Sequence, residues 1–103
     1  ILEEEKEIEK SIIENQQKLA DINFIGKTEN IIFDLLGKAQ LSRIDGSVYS
    51  LRYDSEKCRL FLFFNQEAND KRVEYFELRN NKAELLNSKQ SLEGCYKEFN
   101  LLN

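Results

Sequence analysis

The spacing of apolar positions changes along this chain, and each change marks a new element. Over residues 1–22, Ile1, Ile8, Ile12, Leu19 and Ile22 fall on a seven-residue grid with steps of four and three, and Glu5 and Asn15 fill the other core slots. No Pro or Gly interrupts the run, and Glu, Lys and Gln dominate it. A stripe this narrow gains little by folding alone. It predicts a coiled-coil helix whose seam is buried by a partner helix, with Asn15 favouring one register at a cost in stability. The competing reading is an amphipathic helix packed back on its own domain.

Residues 23–28 break the heptads with Gly26 and offer Thr28 as an N-cap. Glu29 in the first turn suits the helix dipole. Ile31, Ile32, Leu35 and Leu36 then share one face of a helix over 29–36, Phe33 lies off that face, and Gly37 is the stop.

From residue 38 the period becomes two. Residues 41–44 form a short strand, and Asp45-Gly46 signals a type I′ hairpin. Residues 48–53 alternate, with Tyr49, Leu51 and Tyr53 on one face. A turn at 54–57 leads into residues 58–64, where Leu60, Leu62 and Phe64 point one way and Phe61 and Phe63 the other. A strand apolar on both faces predicts a central strand with cover on both sides. After a polar loop, residues 72–78 form the next strand, with Val73 and Tyr75 on one face and Phe76 and Leu78 on the other. Asn80-Asn81 suggests a tight turn into an edge strand over 83–86, which we favour over a helix starting at Lys82. Ser91 caps a last helix, whose stripe of Leu92, Cys95, Tyr96, Phe99 and Leu102 lies across the sheet. The predicted fold class is α+β. An N-terminal coiled-coil helix (1–22) precedes a small globular domain (23–103) with an antiparallel sheet of about four strands flanked by helices.

Composition narrows the job. Across 103 residues the net charge is −4, which argues against a general binder of nucleic acid or anionic membrane. The chain opens on Ile1 and contains no Met, which reads as a piece of a longer protein. No apolar run approaches the roughly 20 residues that span a bilayer. Cys58 and Cys95 lack metal-ligand spacing, and two reduced, buried thiols are favoured over a disulfide.

The chain has no His, hence neither the commonest general base nor the commonest metal ligand. Glycine-rich phosphate loops and nucleophile elbows are missing too. Glu3-Glu4-Glu5 reads as a solvated helix face. Arg43, Arg52, Arg59, Arg72 and Arg79 are spread over the strands. Cross-strand ion pairs with Asp54, Glu74 and Glu77 explain them better than an anion-binding patch. No catalytic, cofactor-binding or metal site is expected.

Two resemblances follow from these residues. A coiled coil running into Ile31-Ile32-Phe33-Asp34-Leu35-Leu36-Gly37, then Ile44-Asp45-Gly46 and Val48-Tyr49-Ser50-Leu51-Arg52, resembles the RWD-type globular ends of kinetochore and spindle-checkpoint coiled-coil proteins. That resemblance implies a docking and dimerisation module of chromosome segregation. Tyr49-Ser50-Leu51-Arg52 followed by Arg59-Leu60-Phe61-Leu62-Phe63-Phe64 is also similar to RelE/ParE-type toxins. This implies a ribonuclease or ribosome-binding domain, with Arg43, Arg52, Arg59 and Arg72 on RNA phosphates. The acidic balance speaks against an active nuclease.

The sequence therefore predicts a non-enzymatic interaction module, nuclear or cytoplasmic, without cofactor. Its association residues are Ile1, Ile8, Ile12, Asn15, Leu19 and Ile22, joining a homodimer or heterodimer. A second protein docks on the globular domain, and neither membrane nor nucleic acid is an expected partner.

Overall fold

The computed structural model describes residues 22–102. The coiled-coil helix expected over 1–22, and with it Ile1, Ile8, Ile12, Asn15 and Leu19, lies outside the described residues except for Ile22. Helix α1 (Glu29–Leu36) precedes strands β1 (Leu41–Asp45), β2 (Val48–Asp54), β3 (Cys58–Asn65), β4 (Val73–Asn80) and β5 (Leu85–Leu86), and helix α2 (Lys89–Glu98) follows. The five strands pair in chain order as an antiparallel meander. This is an α+β domain whose five strands match the five strand segments read from the sequence, one more than the expected count of about four.

α1 forms where its caps dictate. The Thr28 side chain accepts from the Ile31 N–H, and Gly37 at φ 76° closes the other end. The helix turns Ile32, fully buried, toward the sheet. The Tyr53 hydroxyl donates to the Gly37 carbonyl at 2.8 Å and pins the end of α1 over β2.

The β1–β2 turn differs in detail from expectation. Asp45 pairs with Val48, so the turn residues are Gly46 and Ser47. Of these, Gly46 alone has positive φ, at 61°. That fits a type II′ turn, which needs φ > 0 only at its first central residue.

β3 is central, as its apolar character demanded, and Leu60, Leu62 and Phe64 are buried on one face. The expected cover on both sides is not what the described residues supply. Both helices lie on the Leu60 side, and Phe61 and Phe63 on the opposite face stay half-buried. In β4 the register shifts opposite Phe63 and Phe64, so Phe63 faces Tyr75 while Phe64 faces Val73. The extra residue, Glu74, moves Val73 to the core face with Leu78 and leaves Tyr75 outside, which corrects the simple alternation. Past Asn80 it is Ala83, not an Asn, that adopts positive φ (66°). The Asn80 side chain accepts from the N–H groups of Lys82 and Glu84 and holds that turn.

α2 starts earlier than predicted. Ser88, not Ser91, is the N-cap, and its hydroxyl accepts from the Ser91 N–H at 3.1 Å. At the far end Asn100 takes φ 62°, and the Leu101 N–H reaches the Tyr96 carbonyl at 2.8 Å. This left-handed stop turns Leu102 back into the core. The core thus runs from Phe24 and Ile32 through the inner faces of β2, β3 and β4 to Cys95, Tyr96 and Leu102.

Candidate docking surfaces

The outer face of the sheet is built by the alternate residues that the core does not use. β3 contributes Arg59, Phe61 and Phe63; β2 contributes Ser50, Arg52 and Asp54; β4 contributes Tyr75, Glu77 and Arg79; β1 contributes Leu41, Arg43 and Asp45. Phe61 and Phe63 stack with centroids 6.3 Å apart, and Phe63 stacks on Tyr75 at 5.6 Å. Tyr75 is 54% exposed. An aromatic ridge therefore runs along the middle of a face that no described element covers.

Four of the five strand arginines share this face, and each meets a carboxylate. Arg43 lies 3.6 Å from Asp45, Arg52 and Arg59 lie 3.1 and 3.4 Å from Asp54, and Arg79 lies 2.9 Å from Glu77. Three of these pairs run along one strand, and Arg59–Asp54 crosses between strands. Cross-strand pairs with Asp54, Glu74 and Glu77 were expected; only Asp54 pairs across strands, Glu77 pairs along β4, and Asp45 takes the place given to Glu74. Arg72 lies off the face, bound to Asp70 at 2.7 Å and donating to the Gly26 carbonyl.

Cys58 and Cys95 are joined by a disulfide, with Cα atoms 5.8 Å apart. This overturns the expectation of reduced thiols. The spacing of 37 residues gives no hint of it, because β3 and α2 meet only once the sheet has formed. The same junction is tied by Glu98. Its carboxylate accepts from the Ser55 hydroxyl and the Lys57 N–H, both at 2.8 Å.

Of the six seam residues, Ile22 is the one described. It packs against the core and lines a groove with Phe76, Leu86, Leu92 and Tyr96, on the β5 side of the sheet. The residue that sequence reasoning passed over is Phe24, 1% exposed and edge-on to Phe76 at 5.1 Å. Backbone bonds from Gly26 N–H to Val73 carbonyl and from Val73 N–H to Lys27 carbonyl hold its segment to β4. No spacing signal marks this contact; the one clue was a lone Phe between two helical patterns.

Titration is perturbed at three tyrosines. Burial, and then the neighbouring Glu29, push Tyr49 up to about 12. Burial alone raises Tyr53 and Tyr96. Burial is thus the leading cause at all three, and Tyr49 also meets a carboxylate, that of Glu29.

Among the described residues no helix is long and apolar enough to cross a membrane, and no cluster of His, Cys, Asp or Glu could hold a metal ion. No protein-family model matches this chain. No curated protein and no solved structure matches it either.

Proposed function

We propose that this chain is a non-enzymatic protein-interaction and dimerisation module. In this reading a coiled-coil helix with the seam Ile1, Ile8, Ile12, Asn15, Leu19 and Ile22 precedes an RWD-like docking domain of the kinetochore and spindle-checkpoint type. The observation that carries it is the sheet face that no described element covers, where Phe61, Phe63 and Tyr75 present an aromatic ridge rimmed by internally neutralised charges. A half-exposed aromatic centre with a polar rim is the composition of a protein-binding surface. The pairing of Arg43, Arg52, Arg59 and Arg72 with carboxylates favours this reading over the RelE/ParE-like one, since arginines so engaged offer less to RNA phosphate.

Modules of this kind work in the nucleus or cytoplasm, where thiols are kept reduced, whereas the Cys58–Cys95 bond belongs to an oxidising compartment. Thiol labelling of the protein as it is made in its own cell decides between the two.

The test of association is the solution mass of the chain beside an Ile8→Asp, Ile12→Asp variant. A dimer that becomes a folded monomer in the variant supports the seam. A wild-type monomer at high micromolar concentration removes the homotypic version. A ribosome-programmed cleavage assay that yields cut mRNA would replace this reading with the nuclease one.

A further inference from the structure

Among the described residues β1 is an open edge. It pairs there with β2 on one side only, and all five of its residues are exposed. Asp45 and Val48 close the two-residue turn as a hydrogen-bonded pair, and Arg43 and Leu41 share that phase. The N–H and C=O groups of Ser42 and Ile44 therefore point away from β2. The opposite edge, β5, is two residues long and offers little to pair with.

The side chains along this edge are unusual for one left open. Charges commonly block edge-to-edge pairing. Here Arg43 and Asp45 are of opposite sign and two apart, with side chains 72% and 77% exposed. Between them Ile44 points to the helix-bearing face and is 60% exposed. On that same side of the sheet, Ile31 and Leu35 of α1 are 43% and 47% exposed. They lie on the flank of α1 away from Phe33, which instead lines a hollow with Asn69, Asp70 and Lys71.

We infer that β1 is a self-association edge that takes the β1 of a second copy of this chain in antiparallel register, Ile44 opposite Ile44. The register follows from two constraints. Outward-pointing groups must meet outward-pointing groups, which allows Ser42 or Ile44 to lie opposite Ile44, or Ser42 opposite Ser42. Placing Ser42 opposite Ile44 sets Arg43 against Arg43, and like charges directly opposite are destabilising. Placing Ser42 opposite Ser42 leaves Ile44 beyond the paired core. Centring on Ile44 sets Arg43 opposite Asp45 twice, once on each side of the two-fold axis. It joins the two exposed Ile44 side chains and brings the Ile31 and Leu35 flanks of the two α1 helices to the same side. The result is a ten-stranded sheet, twice the five strands of one copy. The interface is self-complementary, as a two-fold contact requires. It is also short, and belongs with the weak interfaces that bury less than about 1,200 Å².

Sedimentation velocity of the full chain tests this, with the seam disabled by Ile8→Asp, Ile12→Asp so that the two modes of association are read apart. At about 1 mM, where even weak pairing populates the dimer, the seam-disabled chain is expected to sediment as a dimer. Adding Ile44→Lys halves the mass while circular dichroism stays unchanged. Arg43→Asp alone weakens the dimer about tenfold, and Arg43→Asp with Asp45→Arg restores it, which a general loss of charge would not do. A seam-disabled chain that is monomeric at about 1 mM overturns the edge proposal and leaves the seam reading standing. A dimer insensitive to Ile44→Lys also overturns it. If the association of the wild-type chain survives both sets of substitutions, seam and edge fail together.

Discussion

Phe24 lies in the short break between two helical patterns, and its ring ends up 1% exposed against Phe76 and Tyr96. Phe24→Ala is expected to destabilise the domain by about 3–5 kcal/mol, the usual cost of deleting a buried aromatic ring, read from urea unfolding. Exposed Phe33→Ala should cost far less in the same experiment. Nothing periodic announced Phe24, because its burial depends on the pairing of residues 26–28 with the start of β4, some 46 positions along the chain. The tyrosines behave alike at this scale. Tyr49, Tyr53 and Tyr96 all have a folded-state pKa above the ordinary value of 10.0. The folded state thus favours their neutral form. Their contribution is fully present below pH 10 and fades as pH rises toward about 12, the value for Tyr49. Thermal melts should show a falling midpoint across that window, and a spectrophotometric titration should find tyrosine ionisation in the folded protein continuing well above pH 10.

At the scale of elements, the signals carried by nearest neighbours were legible. Thr28 and Gly37 bounded α1 as their side-chain chemistry predicts, and the alternation in β2 and β3 set their inner faces correctly. What was not legible depends on partners distant in sequence. The β4 bulge that redirects Val73 arises from pairing with β3, and one added residue is invisible to a period-two count. The N-cap at Ser88 rather than Ser91 was hidden because the first turn of α2 carries polar residues that leave no stripe. The disulfide is the largest such case. It closes a span of 37 residues, for which chain entropy gives about 3–4 kcal/mol. Reduction, or paired Cys58→Ala and Cys95→Ala substitution, should lower the unfolding free energy by about that amount. Non-reducing peptide mapping should recover the two cysteines on one linked pair of peptides. The Glu98 bonds to Ser55 and Lys57 act at the same junction and should keep α2 docked when the thiols are free.

For the whole molecule, the order helix, meander, helix was readable because each change of period coincided with a Gly or a capping residue. The division of labour between the two sheet faces was not. A strand apolar on both sides predicts burial on both, and β3 instead keeps Phe61 and Phe63 half-open. The described domain is also electrically neutral as a whole. Seven of the nineteen acidic and three of the fifteen basic residues fall in 1–21, leaving equal numbers of each sign in 22–102. The acidity that spoke against nucleic acid thus belongs to the amino-terminal residues, and the domain itself relies on its local pairing of Arg with Asp and Glu.

The chain enters this domain at Ile22, beside β5, while the open edge lies at β1. Four strand spacings put these sites roughly 19 Å apart across the sheet. A molecule that joined one neighbour through its amino-terminal residues, as proposed, and another through β1 would leave each neighbour with an unused site. Two-fold contacts alternating in this way propagate into a linear polymer wherever their axes do not meet. Its mean length would be set by concentration, and a chain blocked at either site would act as a terminator.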